Sequence, residues 1–479
     1  MNDRSTLLER ARSQRFFHTI GGQLISSRCV DVVDPATGEP FQHAPVASES
    51  ELDLAVTAAR AAQPGWAALS WDERQVRLQA LADTIDAHIE WIATLHTHEQ
   101  GMPFAQSLLS ARTATHRIRT IAAFRVPDHV LIDDLDRRVV ERWHPLGVVC
   151  AIAPWNAPLL LGLIKVANAL ISGNTIVLKP SELTPLSTME VGRLSIGVLP
   201  DGVFNVVGGG REVGAAMVGH PGFDKVSFTG STSVGISIAK TSAAYLRPVT
   251  LELGGNDAAI LLPDGPIEAL VKAAARTGFS NNGQFCAAVK RIYVPTLQVE
   301  KVAAALATAA DAFQIGNGFD ADVTLGPIQN KSQLDRVCDL VADARAAGGQ
   351  IVTGGHRLDR SGYFFRPTVV VGLRDGARLV DEEQFGPVIP VVAYDDLDAV
   401  ISQVNAGPYG LTASVWTQNL DEGERAAGRL MVGSAAVNRH AAFDPYVPFP
   451  LINQSGMGID YANNGVTGAM RLQAVTVMR

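Results

Sequence analysis

The chain has 479 residues, 47% of them apolar and 18% charged, with a formal net charge of −8. That length asks for two or three packed units rather than one core. The acidic balance, with no long run of lysine and arginine, argues against a phosphate-backbone partner and so against nucleic acid.

Taken in chain order, the segment Met1 to Phe17 mixes Arg4, Arg10, Arg12 and Arg15 with Asp3 and Glu9. It has no apolar stretch for a secretory leader, so a cytoplasmic location is expected, with organelle targeting by the arginines as the alternative. Asp34-Pro35-Ala36-Thr37-Gly38-Glu39 is turn chemistry between short apolar runs and predicts a hairpin at an edge of the fold. From Ser70 the sequence predicts a helix that opens on a Ser70–Glu73 capping box. It carries Leu78, Leu81, Ile85, Ile89, Ile92 and Leu95 at steps of three and four, and Gly101 and Pro103 end it. Val130 to Trp143 is polar and extended, the pattern of a protruding hairpin. The most membrane-like run, Gly147 to Ile164, is broken by Pro154, Asn156 and Pro158. A strand, a turn and a helix start explain it better than a bilayer span, and no membrane partner is expected.

Beyond it, valine- and isoleucine-rich runs alternate with helical patterns. Gly147 to Ile152, Thr175 to Lys179, Val203 to Val207 and Lys225 to Phe228 read as strands, and the segments from Pro158, Pro185, Glu212 and Ser233 as helices. This order predicts a doubly wound, mostly parallel α/β sheet, with ligands at the carboxyl ends of its strands. A second α/β series follows Leu253-Gly254-Gly255. Its strands are Ala258 to Leu262, Arg291 to Val294, Thr368 to Val371, Val388 to Val392, Thr412 to Trp416 and Ser434 to Val437.

Cys29, Cys150, Cys286 and Cys338 are far apart, without the spacing of a metal site or redox pair, and read as reduced thiols. Cys286 alone would be read as a packed thiol. Gly208-Gly209-Gly210 and Gly230-Ser231-Thr232 each lie between a strand and a helix, where backbone amides can hold a phosphate. Lys179 and Glu182 follow a strand and are placed to meet ribose hydroxyls or solvent.

Six motifs in order change these separate readings. They are Pro154-Trp155-Asn156-Ala157-Pro158, Lys179 to Glu182, Phe228-Thr229-Gly230-Ser231-Thr232, Leu251-Glu252-Leu253-Gly254-Gly255, Gly283-Gln284-Phe285-Cys286 and Glu383-Gln384-Phe385-Gly386-Pro387. Over nearly the full length this set resembles the aldehyde dehydrogenase superfamily. The resemblance implies an α/β fold in three parts. These are a Rossmann-type dinucleotide-binding domain (residues 1–124 and 145–253), a catalytic domain (254–452), and a small β oligomerisation element (125–144 and 453–479). A homodimer or homotetramer is implied.

By the same resemblance Cys286 is the nucleophile, Asn156 an oxyanion donor together with the Cys286 N–H, and Glu252 the base that activates water. Such chemistry is sound on its own terms, because an aldehyde must become tetrahedral before it can release hydride, and a thiolate makes that adduct readily. The resemblance further assigns Trp155, Lys179, Glu182, Gly210, Gly230, Ser231, Glu383 and Phe385 to the cofactor. Glu182 would repel a 2′-phosphate, which favours NAD while leaving NADP open. No metal is implied. Ala157 and Ile164 stand where many relatives carry larger aromatics. With Leu161, Phe285, Phe443 and Phe449 they suggest an apolar tunnel for an aromatic or medium-chain aldehyde, a small-molecule substrate. Pro450-Leu451-Ile452-Asn453 replaces the usual Gly-Gly-x-Lys, and Asn256 replaces a common lysine. A CoA-acylating or semialdehyde dehydrogenase, or a relative that has lost catalysis, are the alternatives.

Overall fold

The computed structural model describes residues 4–441 and 443–479. Met1, Asn2 and Asp3, where the segment read for a leader begins, lie outside the described residues.

Two sheets organise the chain. The first runs in the order Gln23–Ile25, His18–Ile20, Phe204–Val206, Thr175–Lys179, Val148–Ile152, Lys225–Thr229, Val249–Glu252 and Gly456–Met457. Its five central strands are parallel. Val148–Ile152, Thr175–Lys179 and Lys225–Thr229 are buried at every position, as strands covered by helices on both faces must be. The second sheet runs Gln350–Thr353, Thr368–Val371, Val388–Tyr394, Arg291–Pro295, Ala258–Leu261, Thr412–Trp416 and Ser434–Val437. Every strand there is parallel to its neighbour except Gln350–Thr353, which pairs antiparallel at the edge. A third, three-stranded sheet joins His129–Asp133 and Arg137–Pro145 to Met470–Met478.

The predicted hairpin at Asp34 is present, formed by Cys29–Asp34 and Glu39–Pro45. The helix predicted from Ser70 to Leu95 is instead two helices, Trp71–Ala87 and Ile89–Gln100. The capping box at Ser70 and Glu73 forms as expected. The break falls at His88, whose backbone (φ −117°, ψ 17°) is not helical. Apolar spacing continues across it because both helices face the same core, so periodicity alone could not reveal the break. The run from Gly147 resolves into the strand Val148–Ile152 and the helix Pro158–Ile171, and among the described residues no helix is long and apolar enough to cross a membrane. The four cysteines are unpaired.

Two small ladders shape the segment that departs from the usual pattern. Phe449–Pro450 pairs with Ile459–Asp460, and Ile452–Asn453 pairs with Tyr409–Gly410. Leu451 between them is buried in the first core, the one shared by the helices Trp71–Ala87, Ile89–Gln100 and Pro158–Ile171. Gly456–Met457 then adds to the free side of Val249–Glu252, so the chain's last segment completes the first sheet beside Glu252.

Candidate active site

The Cys286 loop begins where the helix Ile267–Ala274 gives way to a wider π turn over Ala275–Phe279. Asn281, Asn282 and Gly283 then all take positive φ (49°, 55° and 64°). Asparagine and glycine are the residues that tolerate this conformation. At Gly283 no other residue fits, since a Cβ there would come 2.4 Å from the Gly386 carbonyl oxygen.

Side chains tie the turn down. Asn282 Nδ2 donates to the carbonyls of Gly326 and Pro327 at 3.0 and 2.9 Å. Gln284 Nε2 donates to the Asn281 carbonyl at 2.9 Å, and its Oε1 accepts from the Gln329 N–H at 2.9 Å. Gln100 Nε2 donates to Asn281 Oδ1 at 2.7 Å. The turn therefore delivers Cys286 half-buried, with its sulfur packed against the first core. Burial and the fields of Glu252 and Asp257 push the thiol up to about 12.

Asn156 lies just past the strand Val148–Ile152, 5% exposed. Its Nδ2 donates to the Gln284 carbonyl at 2.9 Å, and its own carbonyl accepts from Asn281 Nδ2 at 3.1 Å. The amide carries two N–H bonds, so one remains for a ligand beside Cys286. Glu252 ends the strand Val249–Glu252 and is 8% exposed. Thr229 Oγ1 donates to it at 2.8 Å. Burial and the neighbouring Asp460 raise its carboxyl to about 8, against the pull of Lys165. Lys165 itself donates to Ser227 at 3.2 Å.

The glycines after Glu252 explain the next contact. Gly255 N–H donates to Glu383 Oε1 at 3.0 Å, and a Cβ on Gly254 would stand 2.2 Å from Glu383 Oε2. Glu383 thus reaches the backbone that follows Glu252 only because that backbone is bare.

On the cofactor side, Lys179 Nζ donates to the carbonyls of Pro180 and Gly209 at 3.0 and 2.7 Å and lies 3.6 Å from Glu182. Burial holds the Lys179 ammonium below its ordinary value. Gly210 and Ser231 are the N-caps of the helices Arg211–Gly219 and Thr232–Ala243. Neither helix start is capped by a side chain, so the first amides remain open to phosphate. Gly230 keeps this turn tight, since a Cβ there would strike the Phe228 ring at 2.4 Å. Trp155 meets Phe385 edge to face at 5.4 Å. This cradle of bare backbone, open helix starts and a lysine–glutamate pair fits a dinucleotide.

An aromatic wall stands beside the cysteine. Phe443 is 5.5 Å from Phe285 and 5.2 Å from Phe449, ring centre to ring centre. Ala157 and Leu161 are half-buried, while Ile164 is 3% exposed and packs in the same core.

Four further residues were not singled out by sequence. Tyr461 joins the wall, 6.1 and 5.8 Å from Phe443 and Phe449. Arg117 lies over the Tyr461 ring at 5.3 Å and donates to the Phe443 carbonyl at 3.0 Å, while its Nη1 has no partner. Asp460 meets Glu252, and Lys290 lies beneath the cysteine. None sits in a recognisable motif: Arg117 comes from the helix Phe104–Ala122, Asp460 and Tyr461 from the C-terminal segment, and Lys290 from the end of the cysteine loop. The sequence signal that could have flagged Lys290 is a charged pair, Lys290-Arg291, set between Ala287-Ala288-Val289 and the apolar run that follows.

Fold and site together are those of an α/β oxidoreductase that carries a half-buried cysteine and a cradle fit for a dinucleotide. The family model described as "Aldehyde dehydrogenase family" matches residues 24–475. The aldehyde dehydrogenase LUC3 of a Fusarium species is 35% identical over 463 residues, covering 96% of this chain and 98% of that protein. The NAD+ complex of an aldehyde dehydrogenase from Bacillus cereus superposes with a TM-score of 0.96 at 33% identity, covering 100% of this chain and 99% of that one. Lactaldehyde dehydrogenase from Escherichia coli gives 0.93 at 34% identity, covering 96% and 99%. The chain belongs to the aldehyde dehydrogenase family, and the activity is oxidation of aldehydes to carboxylic acids.

Proposed function

We propose that the enzyme oxidises an apolar aldehyde, aromatic or of medium chain length, to its acid with NAD, through a covalent adduct on Cys286. The observation that carries this reading is that Cys286 packs with the aromatic wall of Phe285, Phe443 and Phe449, while Asn156 bonds the Gln284 carbonyl of the same turn and the Glu252 carboxyl acts on the thiol.

The Cys286 thiolate attacks the aldehyde carbon. The oxygen of the adduct is held by the free Asn156 N–H and the Cys286 backbone N–H, a pair of donors aimed where charge develops. NAD would be held by Lys179 and Glu182 at the ribose, by Gly210, Gly230 and Ser231 at the phosphates and by Trp155, Glu383 and Phe385 at the reactive end, and would supply the hydride acceptor; loss of hydride from the carbon of the adduct leaves a thioester on Cys286. Glu252 then takes a proton from water as the water attacks the thioester, releasing the acid and restoring the thiol. Glu252 supports hydrolysis over transfer to CoA, because transfer to a thiol has no need of a base that activates water. The Glu182 carboxylate supports NAD over NADP.

The reading extends to organisation. Residues 1–124 with 145–253, and 254–452, act as binding and catalytic domains. Residues 125–144 with 453–479 form the subunit contact of a homodimer or homotetramer. Unpaired cysteines suit a cytoplasmic location.

The test is rapid mixing with NAD and a panel of benzaldehyde, hexanal and succinic semialdehyde. A burst of NADH with the first two, lost in Cys286→Ala, is expected. Turnover of the semialdehyde alone would replace the apolar reading with a second one, a carboxylated substrate, which the unpartnered Nη1 of Arg117 behind Tyr461 favours.

A further inference from the structure

Lys290 follows shortly after Cys286 and is only 1% exposed. A buried ammonium is costly unless acceptors surround it, and this one is surrounded. Its Nζ donates to the Phe285 carbonyl at 2.8 Å and to the Gly283 carbonyl at 3.2 Å, and lies 4.7 Å from the centre of the Phe385 ring. Burial works against its charge, while Glu383, Asp257 and Cys286 favour it. The backbone of Lys290 is pinned as well. Its N–H donates to the Asp257 carbonyl at 3.0 Å, and its carbonyl accepts from Gln384 Nε2 at 2.8 Å.

The Phe285 carbonyl and the Cys286 N–H belong to one peptide unit. When a cation bonds the oxygen of a peptide, the unit is polarised and its N–H becomes a stronger donor. We infer that Lys290 is a positioning residue of the reaction, its ammonium fixing and polarising the Phe285–Cys286 peptide so that the Cys286 N–H receives the oxyanion. The inference rests on the covalent chemistry proposed for Cys286. In the step it serves, the thiolate, its proton already released to solvent, donates a lone pair to the aldehyde carbon. The carbonyl π pair moves onto oxygen, and that oxygen is held by Asn156 and the Cys286 N–H. Lys290 keeps its proton throughout.

The same ammonium acts on the thiol. Glu252 at the end of its strand, Asp257 ahead of Ala258–Leu261 and Glu383 after Arg378–Asp381 all raise the thiol, and Lys290 alone of these four pulls it down. The neutral phenol of Tyr461, at the start of the last helix, also faces the thiol. Removing the ammonium would leave the sulfur among acids.

The experiment compares Lys290→Met, Lys290→Arg and the parent enzyme. Alkylation of free enzyme by iodoacetamide is followed against pH at the Cys286 peptide by mass spectrometry. The NADH burst is measured with whichever of benzaldehyde, hexanal and succinic semialdehyde the parent turns over fastest. For Lys290→Met we expect the alkylation profile to move to higher pH and the burst to fall by roughly ten- to a hundredfold, less than the 10² to 10³ of losing an oxyanion donor outright, because the Cys286 N–H itself remains. Lys290→Arg, which keeps the charge, should retain the parental alkylation profile with an intermediate burst. A Lys290→Met enzyme with parental profile and burst, changed only in unfolding midpoint, would reduce Lys290 to a structural prop and overturn the inference. Should Lys290→Met not fold, Lys290→Arg decides: a parental profile supports the inference, and a profile displaced upward despite the retained charge overturns it. Failure of the underlying chemistry shows separately, as turnover that survives Cys286→Ala.

Discussion

At the scale of single residues, the site is a set of groups whose charges are held back by burial. Glu252 is pushed up to about 8 by burial and by Asp460, so at neutral pH most of it is protonated and only the ionised minority can take a proton from water. Turnover limited by thioester hydrolysis should therefore rise with pH through about 8 and level off above it, as steady-state rates across that interval would show. In Glu252→Gln the burst of NADH should survive while later turnover becomes slow and loses this limb. Because Asp460 is a charge that raises Glu252, Asp460→Asn should move the limb to lower pH. Asn156→Ala should cost about 10² to 10³ in the burst rate, the usual loss for one donor to an oxyanion. A loss below about threefold would remove Asn156 from that role. Cys286, Glu252 and Asn156 could be found in the sequence because each stands in a short motif of its own. Asp460, Tyr461 and Arg117 could not, because what matters about them is which residues far along the chain they meet; Lys290, four residues after Cys286, stood close enough to be suspected but belongs to no motif of its own.

At the scale of elements, bare backbone decides the geometry. Gly283→Ala would place a Cβ 2.4 Å from the Gly386 oxygen at a φ of +64°. The clash is with backbone, so relief requires moving the cysteine turn. A destabilisation of about 2 kcal/mol or more is expected, with loss of activity, read as a lowered unfolding midpoint. Gly254→Ala meets only the end of the Glu383 side chain, which can swing aside. Its effect should fall on the KM for NAD and leave the unfolding midpoint nearly unchanged. Strands such as Thr175–Lys179 and Thr412–Trp416 were legible to the residue, since runs buried on both faces leave an unbroken apolar signature. The edge strand Gln350–Thr353 alternates between exposed and half-buried positions and leaves no such mark. The bend at His88 is equally silent in the sequence, as no proline or glycine announces it.

At the scale of the whole molecule, the three-stranded sheet leaves Val130, Leu131, Leu135, Leu472, Val477 and Met478 exposed. Apolar side chains gathered on one small sheet are what a subunit contact would cover. Leu472→Asp combined with Val477→Asp should lower the solution mass measured by light scattering, if this sheet joins subunits as proposed. The same C-terminal segment separates the two halves of the proposed reaction. The strand that ends at Glu252 is flanked by Gly456–Met457, and Asp460 on the same segment meets the carboxyl. A chain cut before Gly456 would keep Cys286 and Asn156 but leave Glu252 without its flanking strand, so under that chemistry it should take up an acyl group and shed it slowly.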